Sequence, residues 1–327
     1  MQMSGTGIRR ALMLAALIAG GAQTATAADK VTFVTDFGFN GRHAYYYVAL
    51  EKGYYTKQNI DLTIVRGQGS ADAIKQVAAG TAQIGFADAS VVVLSRANDQ
   101  IPVKFISVVY AKPPHAVYVL KDSGIKTPKD LEGKKLADTA FSAVPKLFGA
   151  YAKAAGIDAS KVTWQVAASE ALPGLLTTGR TDGIGQFTVG EPLLAKAAAP
   201  KEVFGLSYAD AGLDMYSSVI IATDATIKNN PDLLKRFVAA TMQGLKDAMA
   251  NPKEAGAIIN KHQRHVDADI GTGETAMVAK IATQPGLPLG ALDPVRVKKT
   301  IEFTGGAFPL KAPVTPDDVS APGFVSN

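Results

Sequence analysis

The sequence predicts an α/β fold of two lobes, followed by a segment that contains only helices. Strand-like and helix-like segments alternate with short loops through the first part of the chain, and the alternation restarts near residue 135. Beyond residue 223 only helical patterns occur. Two isolated apolar strands, near residues 110–120 and 216–223, would carry the chain between the lobes. At 327 residues the chain is long enough for both lobes.

The first 27 residues have the pattern of a cleavable signal peptide. Arg9 and Arg10 precede an apolar stretch that is too short to span a bilayer, and residues 25–27 read Ala-Thr-Ala, a typical cleavage signal. The chain contains no cysteine, which excludes disulfide bonds and a lipid-anchored cysteine. We therefore expect a monomeric periplasmic protein without a membrane anchor.

Composition and motifs argue against several other classes of function. Removing Arg9 and Arg10 lowers the formal net charge from +5 to about +3, and the basic residues are scattered, so nucleic acid is not expected as a partner. The sequence has no nucleophile elbow, phosphate loop or His-Glu-x-x-His helix. His262 and His265 lie one helical turn apart, but the lysine and arginine beside them would repel a cation. We predict no metal, no cofactor and no enzymatic activity.

The predicted elements divide the mature chain into three parts. Residues 28–112 form the first part of lobe 1, residues 113–218 form lobe 2, and residues 219–327 return to lobe 1 and add the C-terminal helices. In lobe 1 the pattern predicts strands at 31–34, 61–65, 83–87 and 103–109, with helices at 44–52, 71–79 and 91–97. In lobe 2 it predicts strands at 116–120, 135–138, 162–166, 182–187 and 203–206, with helices at 144–155, 168–178 and 191–198.

Residues 35–47 connect the first strand to the first helix and concentrate unusual chemistry. They include two glycines, an acid, an amide, an imidazole, a guanidinium and several aromatic rings. Loops at the carboxyl ends of parallel strands bind ligands in open α/β folds. We call residues 36–43 the opening loop. Its side chains suit a flat, polar, nitrogen-containing ring as ligand. Aromatic side chains would stack on the faces of that ring, and Asp36 or Asn40 would form hydrogen bonds with its edge. The alternative, that the rings belong to the core and the polar groups cap the helix, stays open.

Other candidate ligand-binding residues lie at strand ends and at the two crossings. In this position their side chains can point into a cleft between the lobes. Asp88 and Ser90 could equally cap a helix, and a helix dipole favours Glu191 at a helix start in any case. These further candidates are Ser70, Asp88, Ser90, Tyr110, His115, Phe141, Ser142, Phe187, Thr188 and Glu191.

Four segments of the chain resemble one group of exported proteins. They are residues 51–55 (Glu-Lys-Gly-Tyr-Tyr), 59–62, 77–85 and 127–134. In these segments the chain is similar to the solute-binding proteins of ABC importers, in the group that takes sulfonates, taurine, nitrate and thiamine pyrimidine precursors. The resemblance implies the two-lobed periplasmic-binding-protein fold of type II, a small-molecule ligand and a transient partnership with a membrane permease.

The opening loop resembles the thiamine-pyrimidine branch of that group. The branch carries Asp, an aromatic residue, two variable residues, Asn, two more variable residues and His, which correspond here to Asp36, Phe37, Asn40 and His43. Phe37 stands where the branch usually has Trp, and Phe39 stands where it often has Pro. Stacking survives the first change, whereas the second could alter the shape of the loop.

Glu191 does not discriminate between branches. It resembles an acid near the pyrimidine in the thiamine-pyrimidine branch, but residues 190–192 (Gly-Glu-Pro) equally resemble the Trp-Glu-Pro segment of the sulfonate and taurine branch. A fungal relative of this fold is an enzyme that makes the pyrimidine. Its cysteine-rich motif cannot exist in a chain without cysteine, which argues against a synthase.

These observations lead to a specific hypothesis, in which the lobes close around a formyl- or hydroxymethyl-aminopyrimidine. Phe37 and Tyr46 would stack on the ring, and Ser90 and Thr188 would fix its substituents. The ring edge would be bonded by Asp36, Asn40 and Glu191. The same fold could instead bind an alkanesulfonate, taurine, nitrate or a flavin. A pyrimidine synthase and a periplasmic sensor are the alternatives from other classes.

Overall fold

The first lobe begins with alternating strands and helices. The computed structural model describes residues 27–325. Its first elements are β1 (Asp29–Val34), α1 (Ala44–Glu51), α2 (Tyr54–Lys57), β2 (Ile60–Val65), α3 (Ser70–Ala78), β3 (Ile84–Asp88), α4 (Ala89–Asp99) and β4 (Val103–Val108). The predicted signal peptide lies outside the described residues, apart from its last residue.

The second lobe repeats this alternation. Its elements are β5 (His115–Leu120), β6 (Lys135–Asp138), α5 (Ala143–Ala155), β7 (Thr163–Val166), α6 (Leu172–Thr177), β8 (Gly183–Phe187), α7 (Glu191–Ala198) and β9 (Val203–Ser207). The chain then returns through β10 (Ser218–Thr223) and continues with helices α8 (Asp224–Asn229), α9 (Pro231–Ala250), α10 (Pro252–His262), α11 (Ala268–Ala282), α12 (Pro294–Ala307) and α13 (Pro316–Val319). No helix among residues 27–325 is long and apolar enough to cross a membrane.

Each lobe is built on one five-stranded sheet. The strand order is β2-β1-β3-β10-β4 in the first sheet and β7-β6-β8-β5-β9 in the second. Within each sheet one strand runs antiparallel to its neighbours, namely β10, in chain order the last strand of the first sheet, and β5, the first strand of the second. The remaining pairs are parallel, so the ends of β1, β3, β6 and β8 present their loops at the carboxyl edges. The predicted two-lobed architecture with a helical C-terminal segment is confirmed.

Two segments that lie side by side join the sheets. Residues 109–114 lead from β4 to β5, and residues 208–217 lead from β9 to β10. The backbone N–H groups of Val109 and Tyr110 both donate to the Ser218 carbonyl, and the Ser217 N–H donates to the Tyr110 carbonyl at 3.0 Å. These paired crossings are the natural place for a hinge between the lobes.

Side chains near helix starts take different roles. Thr127 and Asp130 form a reciprocal capping box before a 3₁₀ turn. Ser70 is the first residue of α3, and its hydroxyl accepts a hydrogen bond from the Asp88 N–H at 3.0 Å. Asp88 itself caps α4, because its carboxylate accepts from the Ser90 N–H at 2.9 Å.

Candidate ligand-binding cleft

A cavity of about 380 Å³ lies between the lobes, beside the opening loop. Its walls come from the opening loop, the end of β2, the segment before α6, the start of α7 and the turn into α11. We call it the main cavity. Its polar or aromatic lining residues include Phe37, Phe39, Asn40, Arg42, Arg66, Glu170, Gln186, His265, Asp267 and Glu274.

A buried ion pair organises the opening loop. The Arg42 guanidinium donates to both oxygens of Asp36, at 3.2 Å from Nη1 and 3.1 Å from Nη2, and His43 Nε2 lies 2.8 Å from Asp36 Oδ1. All three side chains are at most 3% exposed. Burial by itself would raise the pKa of Asp36, but the Arg42 charge and the His43 hydrogen bond outweigh it and hold that pKa below its usual range. Burial also lowers the pKa of His43, so a neutral ring donates to the carboxylate.

Asn40 completes this network from within the loop. Its amide nitrogen donates to the Phe37 carbonyl, and its amide oxygen accepts from Arg42 Nε, both at 2.8 Å. The polar groups of the opening loop are therefore engaged with one another. A ligand that bonds Asp36 or Asn40, as the sequence predicts, must use remaining lone pairs or exchange these bonds.

Glu274, on α11, holds the loop from the other side. Its Oε2 accepts from the Arg42 N–H at 3.0 Å, and the Gly41 N–H also points at this carboxyl. Gly41 must be glycine here, because a Cβ would stand 2.4 Å from the Gly271 Cα. Burial raises the pKa of Glu274 to about 7. Sequence reasoning missed this residue, although the small residues just before it, Gly271 to Gly273, signal close packing.

Arg42 also lies between two aromatic rings. Its Cζ is 4.8 Å from the ring centroid of Phe187, in the second lobe, and 5.8 Å from that of Phe37. Both distances are within the range of cation–π contacts. The guanidinium therefore bridges the lobes as well as pairing with Asp36.

A narrower space, which we call the inner slot, lies deeper between the strand ends. Its volume is about 10 Å³, and it shares Phe37, Arg42 and Gln186 with the main cavity. Its other polar lining residues are Asp36, Ser70, Asp138 and Ser142. Asp138, at the end of β6, is 2% exposed, and burial raises its pKa to about 8. Neither the sequence motif nor the resemblance had singled out Asp138.

Six of the residues predicted from sequence line the main cavity, the inner slot or both. Asn40 lines the main cavity, and Phe37 lines both spaces. Those that line the inner slot are Asp36, Ser70, Ser142 and Phe187. Tyr110 lies just behind them, where its hydroxyl donates to the Arg42 carbonyl at 3.3 Å.

Other predicted residues lie away from both spaces. Tyr46, expected to stack on the ligand, is wholly buried in the core instead, with its ring centroid 4.3 Å from that of Phe33. Phe141 lies under Lys75, which is 5.6 Å from its ring centroid. Thr188 is half-buried, and Glu191 is exposed and accepts from the Tyr118 hydroxyl at 2.9 Å.

Asp88, Ser90 and His115 form a buried group beside the crossings. Asp88 Oδ2 accepts from the Ser217 hydroxyl at 2.8 Å and lies 2.9 Å from His115 Nε2, although that ring nitrogen makes no well-aligned hydrogen bond. The Ser90 hydroxyl is 3.4 Å from Met215 Sδ. These groups connect the end of β3 to both crossings, so their position is that of a hinge rather than of the cleft wall.

The two lobes are in contact on both sides of the cleft. The Thr139 hydroxyl donates to the Gln68 carbonyl at 3.1 Å, and Gly69 packs so closely that a Cβ would stand 2.3 Å from the Phe141 backbone. At the mouth of the main cavity, exposed ion pairs join Arg66 to Glu170 and Lys196 to Asp267. The lobes are thus in a closed arrangement. Among the described residues no group of three or more His, Cys, Asp or Glu could hold a metal ion.

Three relatives share the chain's sequence to different extents. The formylaminopyrimidine-binding protein of Halalkalibacterium halodurans is 23% identical over 94% of this chain and 96% of its own. The riboflavin-binding protein RibY of Chloroflexus aurantiacus is 28% identical over 69% of this chain and 64% of its own. A 4-amino-5-hydroxymethyl-2-methylpyrimidine phosphate synthase of Aspergillus parasiticus is 25% identical over 69% of each chain.

Solved structures share the fold. A protein of Bordetella bronchiseptica RB50 superposes with a TM-score of 0.75 at 17% identity, covering 91% of this chain and 96% of its own. The alkanesulfonate-binding protein SsuA from Xanthomonas axonopodis pv. citri, bound to MOPS, gives 0.73 at 12% identity, covering 91% and 100%. At these identities the likeness establishes the periplasmic-binding-protein fold alone. The family match is stronger, because residues 40–255 correspond to the family described as NMT1/THI5 like. This match spans more than half of the chain, and the protein therefore belongs to the NMT1/THI5-like family, as the sequence resemblance predicted.

Proposed function

We propose that the protein binds a small, flat nitrogen heterocycle with an amino group, of the thiamine-pyrimidine class, in the periplasm and delivers it to the permease of an ABC importer. The formylaminopyrimidine-binding relative, matched over nearly the whole of both chains, supports this ligand class. The first lobe and the second lobe would close on the ligand, and the paired crossings would act as the hinge.

The balance of charges in the cleft is the observation that carries this proposal. Both guanidinium groups that line it are already paired, Arg42 with Asp36 and Arg66 with Glu170. Two further buried carboxyl groups line it, those of Asp138 and Glu274. A sulfonate or nitrate would therefore find neither guanidinium free to pair with it, whereas a heterocycle with N–H donors and ring nitrogens meets carboxyl groups that can bond it.

The aromatic groups of the cleft support a flat ligand. Phe37 lines both the main cavity and the inner slot, and Phe187 faces it from the second lobe across Arg42. Rings and guanidinium planes stack on flat heterocycles without regard to their substituents. A flavin is the second candidate, because the main cavity of about 380 Å³ leaves room beyond a single ring and because one relative is named for riboflavin.

Binding without turnover fits the position of the opening-loop imidazole. Some relatives are named as synthases, so catalysis is the alternative to consider. His43 is wholly buried behind Asp36, and neither the main cavity nor the inner slot includes it in its lining. Its role here would be to hold the Asp36 carboxylate in place.

A calorimetric titration of residues 28–327 tests the proposal. The probes are 4-amino-5-hydroxymethyl-2-methylpyrimidine, riboflavin, taurine and nitrate. We expect saturable binding of the pyrimidine, with a matching rise in melting temperature because the ligand binds only the folded protein. Binding of taurine or nitrate alone would contradict the proposal, and binding of riboflavin alone would favour the second candidate.

A pair of phenylalanine variants locates the site. Phe37→Ala removes the ring shared by both spaces and should weaken pyrimidine binding by about tenfold, the usual effect of losing one stacking partner. Phe204→Ala, at a 37% exposed phenylalanine on β9, serves as the matched control and should leave affinity unchanged. Equal effects of the two substitutions would show that the ligand lies elsewhere.

A further inference from the structure

We propose that Asp138 donates a hydrogen bond from Oδ2 to a ring nitrogen of the bound heterocycle, and so determines which rings the protein accepts. This inference rests on the proposed function, because it assumes a nitrogen heterocycle in the cleft. It assigns a role to a second-lobe residue that does not belong to the opening-loop motif.

The Asp138 carboxyl is only half satisfied by the protein. Its Oδ1 accepts from the Thr139 N–H at 2.6 Å, whereas Oδ2 is buried and has no hydrogen-bond partner among the described residues. The nearby Ser142 hydroxyl accepts from the Val144 N–H at 3.2 Å as the cap of α5, and it is close enough to lower the pKa of Asp138 slightly, but it makes no well-aligned hydrogen bond with Oδ2. Buried side-chain oxygens without a partner are uncommon in folded proteins, and this one belongs to a residue that lines the inner slot.

The fold makes room for this free oxygen. A Cβ at position 185 would stand 2.0 Å from Asp138 Oδ2, so glycine in β8 provides the space that the carboxyl occupies. The inner slot beside it, about 10 Å³, is about the size of one water molecule or one ring edge atom. Phe37, Arg42 and Gln186 line both the slot and the main cavity. A ring stacked on Phe37 can therefore present one edge atom to Asp138.

The surroundings of Asp138 favour its neutral form. Arg42, the cation that lines the slot, donates from both of its Nη atoms to the Asp36 carboxylate. The remaining titratable neighbour is Tyr208, whose buried hydroxyl donates to the Val144 carbonyl at 3.1 Å. Burial raises the pKa of Asp138 to about 8, against the smaller effects of the Thr139 N–H and the Ser142 hydroxyl. Since Oδ1 accepts from a backbone donor, the proton belongs on Oδ2, which is then a hydrogen-bond donor.

Two substitutions separate a donor from an acceptor at this position. Asp138→Asn keeps a carbonyl oxygen for Thr139 and an N–H donor for the ligand, whereas Asp138→Leu keeps the branched shape and removes both. We expect Asp138→Asn to bind 4-amino-5-hydroxymethyl-2-methylpyrimidine within about threefold of the unchanged protein, and Asp138→Leu to bind it roughly tenfold more weakly. Asp122→Asn, at a 64% exposed aspartate of the same lobe, is the control.

A pH titration provides a readout that loss of packing would not reproduce. Between pH 7 and pH 9.5 the affinity of the unchanged protein should fall about tenfold as Asp138 ionises and loses its donor, while Asp138→Asn should show no such fall. If Asp138→Leu does not fold, this comparison alone decides. Weak binding by Asp138→Asn, or affinity that rises with pH, would overturn the inference. Failure of the unchanged protein to bind the pyrimidine would overturn the proposed function itself.

Discussion

The loops after β1 and β6 occupy the same position in their sheets, yet they treat buried polar groups differently. Each follows the strand that is second in its sheet, and the two face each other across the cleft. In the opening loop Asp36 pairs with Arg42 and His43, so its charge is satisfied within the chain. In the second loop Asp138 has no charged partner among the described residues, and only its Oδ1 makes a well-aligned hydrogen bond, from the Thr139 N–H. The first loop is therefore a preorganised scaffold, and the second offers a free group.

This difference in how the two acids are paired arises from the side chains that each loop supplies. Residues 36–43 supply an acid, an amide, a guanidinium and an imidazole within eight positions, enough to form a closed network. Residues 138–142 supply one acid and two hydroxyls but no charged partner; the Thr139 hydroxyl donates to Gln68, and the Ser142 hydroxyl accepts at the start of α5. A buried acid without a charged partner keeps its proton more readily, as the opposite pKa directions of Asp36 and Asp138 indicate.

The largest expected effect on stability comes from replacing Asp36, and the same replacement at Asp138 is the comparison. Asp36→Asn leaves Arg42 buried without its counter-ion, and the free energy of unfolding should fall by about 3–5 kcal/mol. Asp138→Asn replaces a neutral acid by a neutral amide of the same shape and removes the proton uptake that folding requires at pH 7, so the free energy of unfolding should not fall. Urea unfolding at pH 7 measures both. Equal losses would show that the two loops do not differ in this way.

The pH dependence of stability sharpens the same comparison. The pKa values of Asp138 and Glu274 are raised by burial to about 8 and about 7, so the folded chain keeps protons that the unfolded chain releases above its ordinary pKa values. The free energy of unfolding should therefore fall as pH rises from about 5 to 8, by on the order of 3 kcal/mol, and then level off. Asp36, with a lowered pKa, contributes in the opposite sense, and its contribution is lost in acid.

A double variant tests the origin of this slope. Asp138→Asn combined with Glu274→Gln removes both groups and should flatten the profile between pH 5 and pH 8, measured by urea unfolding at several pH values. Glu302→Gln, at an exposed carboxylate on α12, is the control and should keep the slope of the unchanged protein. A slope that persists in the double variant would assign the effect to other groups.

The smallest effect is expected from the ion pairs at the cavity mouth. Lys196→Gln breaks the pair with Asp267 that joins the lobes, but the lysine is 59% exposed, so ligand affinity should weaken by less than about threefold at low salt. In 1 M salt the difference should vanish, because exposed charges are screened. Lys121→Gln breaks a pair within the second lobe and serves as the control. A loss above tenfold would mean that closure depends on this contact.

Much of the fold could be predicted because local patterns carry it. The strand predicted at residues 135–138 coincides with β6, and the helix expected after the opening loop is α1 with its end displaced by one residue. The expectation that Tyr46 stacks on the ligand was wrong. Tyr46 is the third residue of α1, just after the opening loop, and the helix directs its ring against Phe33 in the core. Only the packing of the helix decides that direction.

The candidate site shows the same division. Sequence singled out the opening loop, since its chemistry is concentrated in a few adjacent residues. It missed Glu274, which reaches Arg42 across 232 positions of sequence, and Asp138, which looks like an ordinary end of a strand. No local signal links such residues, because their contacts form only when the C-terminal helices and the second sheet fold against the first lobe.

The sequence by itself determined the two-lobed α/β architecture and the family, and it pointed to the opening loop as the candidate site, because hydrophobic periodicity and adjacent polar groups act over short distances. Only the tertiary structure decided how the charges are distributed in the cleft. It paired Arg42 with Asp36, brought Glu274 under the loop and left one oxygen of Asp138 without a hydrogen-bond partner within residues 27–325. Burial and partners set the protonation of these groups, and both depend on the assembled lobes.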